Sequence, residues 1–154
     1  MAYGDNTTTI TATAKVLPAE IQKTLSATLT CGLAADNSEK WYYKLTKVSN
    51  SSTDLIAGNF LDNNVSATAA SGLAAITTSD VVKFLFIKNL DTAKSIYFVL
   101  DAGTAASTAD DGMEVGPGSF FAAKLTTGVT VARIHAISST GDCDCLVAAI
   151  IDDV

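Results

Sequence analysis

The sequence predicts an all-β chain, a single-domain β-sandwich of jelly-roll-like type with about eight or nine strands. Three observations predict it. Two apolar runs, residues 81–90 and 96–100, are dominated by β-branched and aromatic side chains and are too short for ordinary helices. Residues 9–16 and 24–31 alternate polar and apolar with a period of two. Turn-forming residues recur at intervals of roughly ten positions, and no helical period persists between them.

In chain order, residues 1–8 read as a flexible polar arm and residues 9–154 as one sandwich domain. From Thr9, the residues Ile10, Ala12, Ala14 and Val16 fall on one side of a strand and Thr9, Thr11, Thr13 and Lys15 on the other, until Pro18 stops the run. A second strand sets Leu25, Ala27, Leu29 and Cys31 against Thr24, Ser26, Thr28 and Thr30. Lys15 and Lys23 protect these edges from unwanted pairing. Residues 40–48 form a third strand with Trp41, Tyr43 and Leu45 on one face.

Residues 49–80 fit one short strand among loops. A helix over 65–75 is disfavoured by Ser66, Thr68, Ser71 and Gly72. The runs 81–90 and 96–100 read as a hairpin closed by Asp91-Thr92-Ala93-Lys94. The first run is apolar on both faces, with Val82, Phe84 and Phe86 on one and Val81, Leu85 and Ile87 on the other. Such a strand is covered by loops or by a neighbouring subunit. A small-residue loop over 101–112 and the Gly116-Pro117-Gly118 turn lead to three more strands at 119–125, 129–138 and 143–152.

The 154 residues, 48% of them hydrophobic, suffice for one substantial core. Charged residues make up 17%, below the roughly 25% of ordinary soluble domains, and a weakly charged surface suits assembly. The net charge of −6 and the dispersal of the basic residues argue against a nucleic-acid grip, which needs clustered Lys and Arg. No apolar run approaches the roughly 20 residues of a membrane-spanning helix, so no membrane partner is expected. Residues 1–9 have neither a cationic start nor an apolar centre and are not a signal peptide, so synthesis and folding in the cytoplasm are expected.

Residues with chemical potential do not assemble into a recognisable device. Cys143 and Cys145 point the same way on a strand and, with Cys31, offer three thiolates. Zinc takes four ligands, the chain has one histidine, and Cys-x-Cys within a strand departs from the Cys-x₂₋₄-Cys turns of zinc sites. The three cysteines therefore read as small buried hydrophobes, a disulfide from Cys31 being the remaining alternative. His135 has Ser138, Ser139 and Asp142 close in sequence, but a catalytic triad is a matter of geometry that local spacing does not supply.

Asp101, Asp110, Asp111 and Glu114 match no calcium-loop spacing and read as solvated turn residues. Trp41, Tyr42 and Tyr43 suit core packing or a subunit contact better than a sugar platform. No enzymatic activity, no cofactor and no metal is expected.

The order Phe86-Ile87-Lys88-Asn89-Leu90, then Ile96-Tyr97-Phe98-Val99-Leu100-Asp101, then Gly116-Pro117-Gly118-Ser119-Phe120-Phe121, and finally Ile134-His135-Ala136-Ile137-Ser138, resembles small virion structural proteins of tailed bacteriophages. Those of marine phages infecting cyanobacteria are the nearest in pattern. The opening residues 1–6 and Lys40-Trp41-Tyr42-Tyr43-Lys44-Leu45 are similar as well, so the resemblance spans most of the chain.

It implies a particle component, located in the virion after assembly in the host cytoplasm, with the leading expectation a capsid decoration (cement) protein bound to the major capsid protein. The alternative is a tail, neck or fibre component acting as a connector or a host-glycan-binding module, with tail proteins as partners. The resemblance also implies a homo-oligomer, with a trimer favoured. The expected interface residues are Thr7, Thr8, Thr9, Trp41, Tyr43, Phe84 and Phe86. The arm is expected to add a strand to an adjacent sheet, and the tail 152–154 to extend to a neighbour.

Overall fold

A computed structural model describes residues 7–16, 23–32, 39–60, 75–106 and 112–154. Among the described residues ten strands follow one another: β1 (Thr7–Val16), β2 (Lys23–Gly32), β3 (Glu39–Val48), β4 (Thr53–Asp54), β5 (Val81–Asn89), β6 (Ile96–Val99), β7 (Met113–Val115), β8 (Phe120–Lys124), β9 (His135–Ser138) and β10 (Cys143–Asp152). All pairings between them are antiparallel. The predicted arm's residues 1–6, the disfavoured helix over 65–75 (apart from Ala75), Asp110 and Asp111 lie outside the described residues. β1 starts at Thr7, two residues before the predicted boundary.

β3 to β10 form two four-stranded sheets ordered β3-β10-β5-β8 and β4-β9-β6-β7. Successive strands alternate between the two sheets except at β6–β7, in keeping with the all-β class expected from the sequence. The sheets share one core. Tyr42 and Val48 of β3, Val82, Leu85 and Ile87 of β5, and Cys145, Val147, Ala149 and Ile151 of β10 pack against Ile96 and Phe98 of β6, Val115 of β7 and Ala136 of β9. Phe98 meets Phe121 edge to face, with centroids 4.8 Å apart. β1 and β2 stand apart as a two-stranded ribbon.

Four expectations are corrected. The runs 81–90 and 96–100 are not a hairpin: β5 pairs with β10 and β8 in one sheet, whereas β6 pairs with β9 and β7 in the other. The segment between them is a crossover, bent where Asp91 Oδ1 accepts from the N–H groups of Ala93 and Lys94 at 2.8 and 2.9 Å. Second, β5 does not keep one alternation. Its register with β10 shifts so that Ile150 faces Phe84 and Ile151 faces Val82, leaving Lys83 as a surplus residue. Val82 therefore joins Leu85 and Ile87 on the core side, while Phe84 and Phe86 face away from it.

The predicted strand 129–138 is strand only from His135. Val131–Arg133 make a 3-10 turn, held by Val131 N–H to Asp80 O at 2.9 Å and Ala132 N–H to Thr78 O at 3.1 Å. Finally, β7 was absent from the sequence reading. It has three residues, too few to show a period.

Candidate functional site

Alternation on β3 buries Tyr42, Thr46 and Val48 and leaves Trp41, Tyr43 and Leu45 on the outer face of the sheet, as their spacing predicts. The register carries that face across all four strands. Trp41 lies opposite Ile150, then Phe84, then Lys124. The next row is Tyr43, Ala148, Phe86 and Ala122, and the third is Leu45, Leu146, Lys88 and Phe120. Ten of these twelve positions are apolar, Lys124 and Lys88 being the exceptions, an unusual composition for a sheet face turned away from the core.

The ribbon covers one end of this face. Ile10, Leu29 and Cys31 pack with Trp41, Phe84, Ile150, Phe86 and Ala122 in a cluster separate from the main core. Beyond it the sheet is bare: Tyr43 is 53% exposed, Leu45 58% and Phe120 48%. Phe86 and Phe120 stack with centroids 5.8 Å apart. Charge borders the bare patch. Lys88 Nζ donates to Gly118 O at 2.5 Å, and Lys47 pairs with Asp142 at 3.6 Å, beside Asp144 and Asp91. An exposed apolar patch with a charged rim leaves hydrophobic area in contact with water.

The sequence-predicted interface residues divide. Tyr43 lies on the bare patch, and Phe86, half-buried against the ribbon cluster, sits at its edge and stacks on Phe120. Trp41 is half-buried beneath the ribbon edge, and Phe84, 2% exposed, is covered by the ribbon, so it is corrected from partner contact to internal anchor. Thr7, Thr8 and Thr9 already pair with Gly32, Cys31 and Thr30 in the ribbon, and Thr9 is exposed there. Leu45 and Phe120 are exposed on the same face but stood outside the expected set. The signal for Leu45 was its shared parity with Trp41 and Tyr43; for Phe120 there was none local to it.

The tail is tied down rather than extended. Asp152 pairs with Lys83 at 3.1 Å, Asp153 pairs with Lys40, and Val154 N–H donates to Asp80 Oδ1 at 3.4 Å.

Groups with chemical potential are placed as follows. All three cysteines are buried free thiols. Cys143 and Cys145 face the core, whereas Cys31 lies across the sheet in the ribbon cluster, so the three do not converge. Burial pushes the Cys145 thiol up to about 12, with Cys143 and Asp144 adding to the shift. Burial, then the Asp91 carboxylate, raises Cys143.

His135 Nδ1 lies 2.9 Å from Asp54 Oδ1, and its Nε2 donates to Ala132 O at 2.9 Å. Ser138 points into the core and donates to Gly141 O, away from that pair. Asp54 was not singled out from the sequence, since it lies 81 positions away on β4. Asp101 Oδ1 accepts from Gly103 N–H at 2.8 Å within its own turn, and Glu114 Oε1 accepts from Ser95 Oγ at 2.6 Å, joining β7 to the entry of β6. Among the described residues no three His, Cys, Asp or Glu converge as metal ligands, and no helix is long and apolar enough to cross a membrane.

No protein-family model matches the chain, and no curated protein matches it. Among solved structures it is similar to a chain of the "Cyanophage Pam1 capsid asymmetric unit", with 14% identity, 80% of this chain and 91% of that chain covered, and a TM-score of 0.31. A likeness at that level carries no argument about function.

Proposed function

We propose that the chain is a structural component of a tailed-phage virion, a capsid decoration protein that holds the head lattice by protein–protein contact and makes or breaks no covalent bond. The bare apolar patch of Tyr43, Leu45 and Phe120 carries this reading, because such a surface in water favours burial against a partner. The motif resemblance at residues 86–90, 96–101, 116–121 and 134–138 supplies the particle, and the major capsid protein is the partner. Jelly-roll sandwiches host viral capsid and lectin domains, which supports the reading by analogy of fold alone. A seat on the order of 1,000 Å² per copy, repeated over a symmetric lattice, is enough for stable attachment. A homotrimer is the expected assembly unit.

Adding the purified chain to heads that lack it tests the proposal. Saturable binding at lattice stoichiometry, with a raised temperature of head disruption, is expected. A chain found only at the low copy number of a tail, neck or fibre station would move it to that alternative. Absence from every part of the particle would overturn the virion reading.

A further inference from the structure

β3 is the outermost strand of its sheet, and its ten residues make it the longest edge of the two four-stranded sheets; β8, β7 and β4 have five, three and two. Its register with β10 runs unbroken, and it carries no bulge, proline or glycine to blunt the edge. Tyr43, Lys44 and Leu45 are consecutive and exposed.

The ladder fixes which main-chain groups point outward. Leu90 N–H donates to Asp144 O at 3.0 Å, so Asp144 turns its peptide groups toward β5 and Cys145 turns its own toward β3. Cys145 faces Thr46, and alternation then aims Thr46, Lys44, Tyr42 and Lys40 at β10. The N–H and C=O groups of Glu39, Trp41, Tyr43, Leu45 and Lys47 point away from the sheet, where among the described residues no strand pairs with them.

We infer that this edge pairs with the same edge of a second copy of the chain, antiparallel about a two-fold axis at Tyr43. In that register Tyr43 meets Tyr43 of the second copy, Trp41 meets its Leu45, and Glu39 meets its Lys47. All of these are outward-pointing residues, so each pair exchanges both hydrogen bonds. Opposite charges meet at both ends, and the apolar pairs lie together on the outer face. On the inner face Lys40 meets Thr46 and Tyr42 meets Lys44, without a like-charge contact. Other registers do worse. An axis at Tyr42 sets Lys40 against Lys44, and an axis at Lys44 sets that lysine against its own copy. An axis at Trp41 or Leu45 shortens the ladder and drops the Glu39–Lys47 pairs. An axis between two residues puts outward groups opposite groups already bonded to β10.

This pairing makes a dimer where the resemblance implies a trimer, and it does not rest on the virion reading. A chain that dimerises through β3 without binding heads would defeat that reading alone.

Sedimentation velocity of the full chain over a wide concentration range is expected to show a reversible dimer. Lys47→Glu sets like charges at both ends of the ladder, and so does Glu39→Lys. Each variant alone is expected to dimerise at least about tenfold more weakly. An equal mixture of the two is expected to recover the wild-type affinity as a heterodimer, because each end again joins Glu to Lys; a folding defect in either variant does not recover on mixing. Tyr43→Cys, on the axis, is expected to cross-link to itself with oxidised glutathione, since Cα atoms about 5.5 Å apart suit a disulfide. Leu45→Cys, opposite Trp41, is not. The native thiols are buried. A wild-type chain that stays monomeric or forms a trimer, charge reversals that dimerise like wild type, a mixture no tighter than its parts, or no cross-link through Tyr43→Cys would each overturn the proposal.

Discussion

The Cys143 thiol donates to Asn89 Oδ1 at 3.3 Å where β5 leaves its sheet. The same oxygen accepts from Asp91 N–H at 2.9 Å, while Asn89 Nδ2 donates to the carbonyl oxygens of Lys94, Val115 and Gly116 at 2.8, 3.0 and 3.2 Å. Asn89 is fully buried, and its amide has no unused hydrogen-bonding position. One side chain thereby ties β5 and β10 of one sheet to the entry of β6 and the end of β7 in the other.

Asn89→Ala strands several of those carbonyls without a donor and is expected to lower stability by about 3 kcal/mol. Asn89→Asp is expected to be worse at neutral pH, since a carboxylate would face three carbonyl oxygens. Urea unfolding midpoints check both. A loss under about 1 kcal/mol for the alanine variant would show that water replaces the amide.

Phe84→Ala removes the largest anchor beneath the ribbon without touching the main core. A loss of about 3 kcal/mol is expected, with amide hydrogen exchange accelerating in β1 and β2 first. Phe98→Ala, in the shared core, is expected to accelerate exchange across both sheets instead. Equal protection of the ribbon in the two variants would contradict its separate seating.

Tyr43→Thr with Leu45→Thr replaces exposed side chains on a strand that tolerates threonine. Stability is expected to change by less than about 0.5 kcal/mol, while occupancy on heads falls at least about tenfold. Quantitative gels of reconstituted particles read the occupancy. Full occupancy would remove the patch from the attachment site.

On the alkaline side, the Cys145 thiol has a folded value near 12 against an ordinary 9.0. A raised value contributes stability that is whole below 9.0 and is lost as pH climbs toward about 12, because the unfolded chain releases that proton first. Wild-type urea midpoints are expected to decline across that interval, and Cys145→Ala to decline less steeply. Cys143, raised in the same direction, accounts for part of the slope that remains.

Acid acts through Asp91. The N–H groups of Ala93 and then Lys94 hold its carboxyl below the ordinary 3.8. The stability this turn supplies is present above 3.8 and is lost as pH falls through the lowered value. Asp91→Asn keeps an acceptor for both N–H groups and is expected to flatten the acid limb of a pH titration followed by circular dichroism.

Alternation was legible wherever a strand kept a single period. Thr30 and Cys31, or Tyr42 and Tyr43, declare opposite faces from sequence alone, and the apolar outer face of β3 follows from the same rule. β5 was misread because Lys83 is a surplus residue that shifts the period inside a run apolar on both faces, where alternation alone does not reveal the slip. The crossover after Asn89 was read as a hairpin since Asp91 to Lys94 suits either connection locally; the choice was made by distant carbonyls at Val115 and Gly116. Val131 and Ile134 look like strand residues, but their backbone is turned by Thr78 and Asp80, some fifty positions earlier. The bare patch is a property of three rows drawn from four strands, so no single stretch of sequence displays it.

β10 lies between β3 and β5 although it follows both in sequence. The middle of the sheet therefore has no ladder until Cys143 and the residues after it have been made, and β3 waits for a partner about a hundred residues further along. Such long-range closure slows folding. Chains truncated before β10 are expected to leave β3 and β5 with an open edge and to be cleared by proteases.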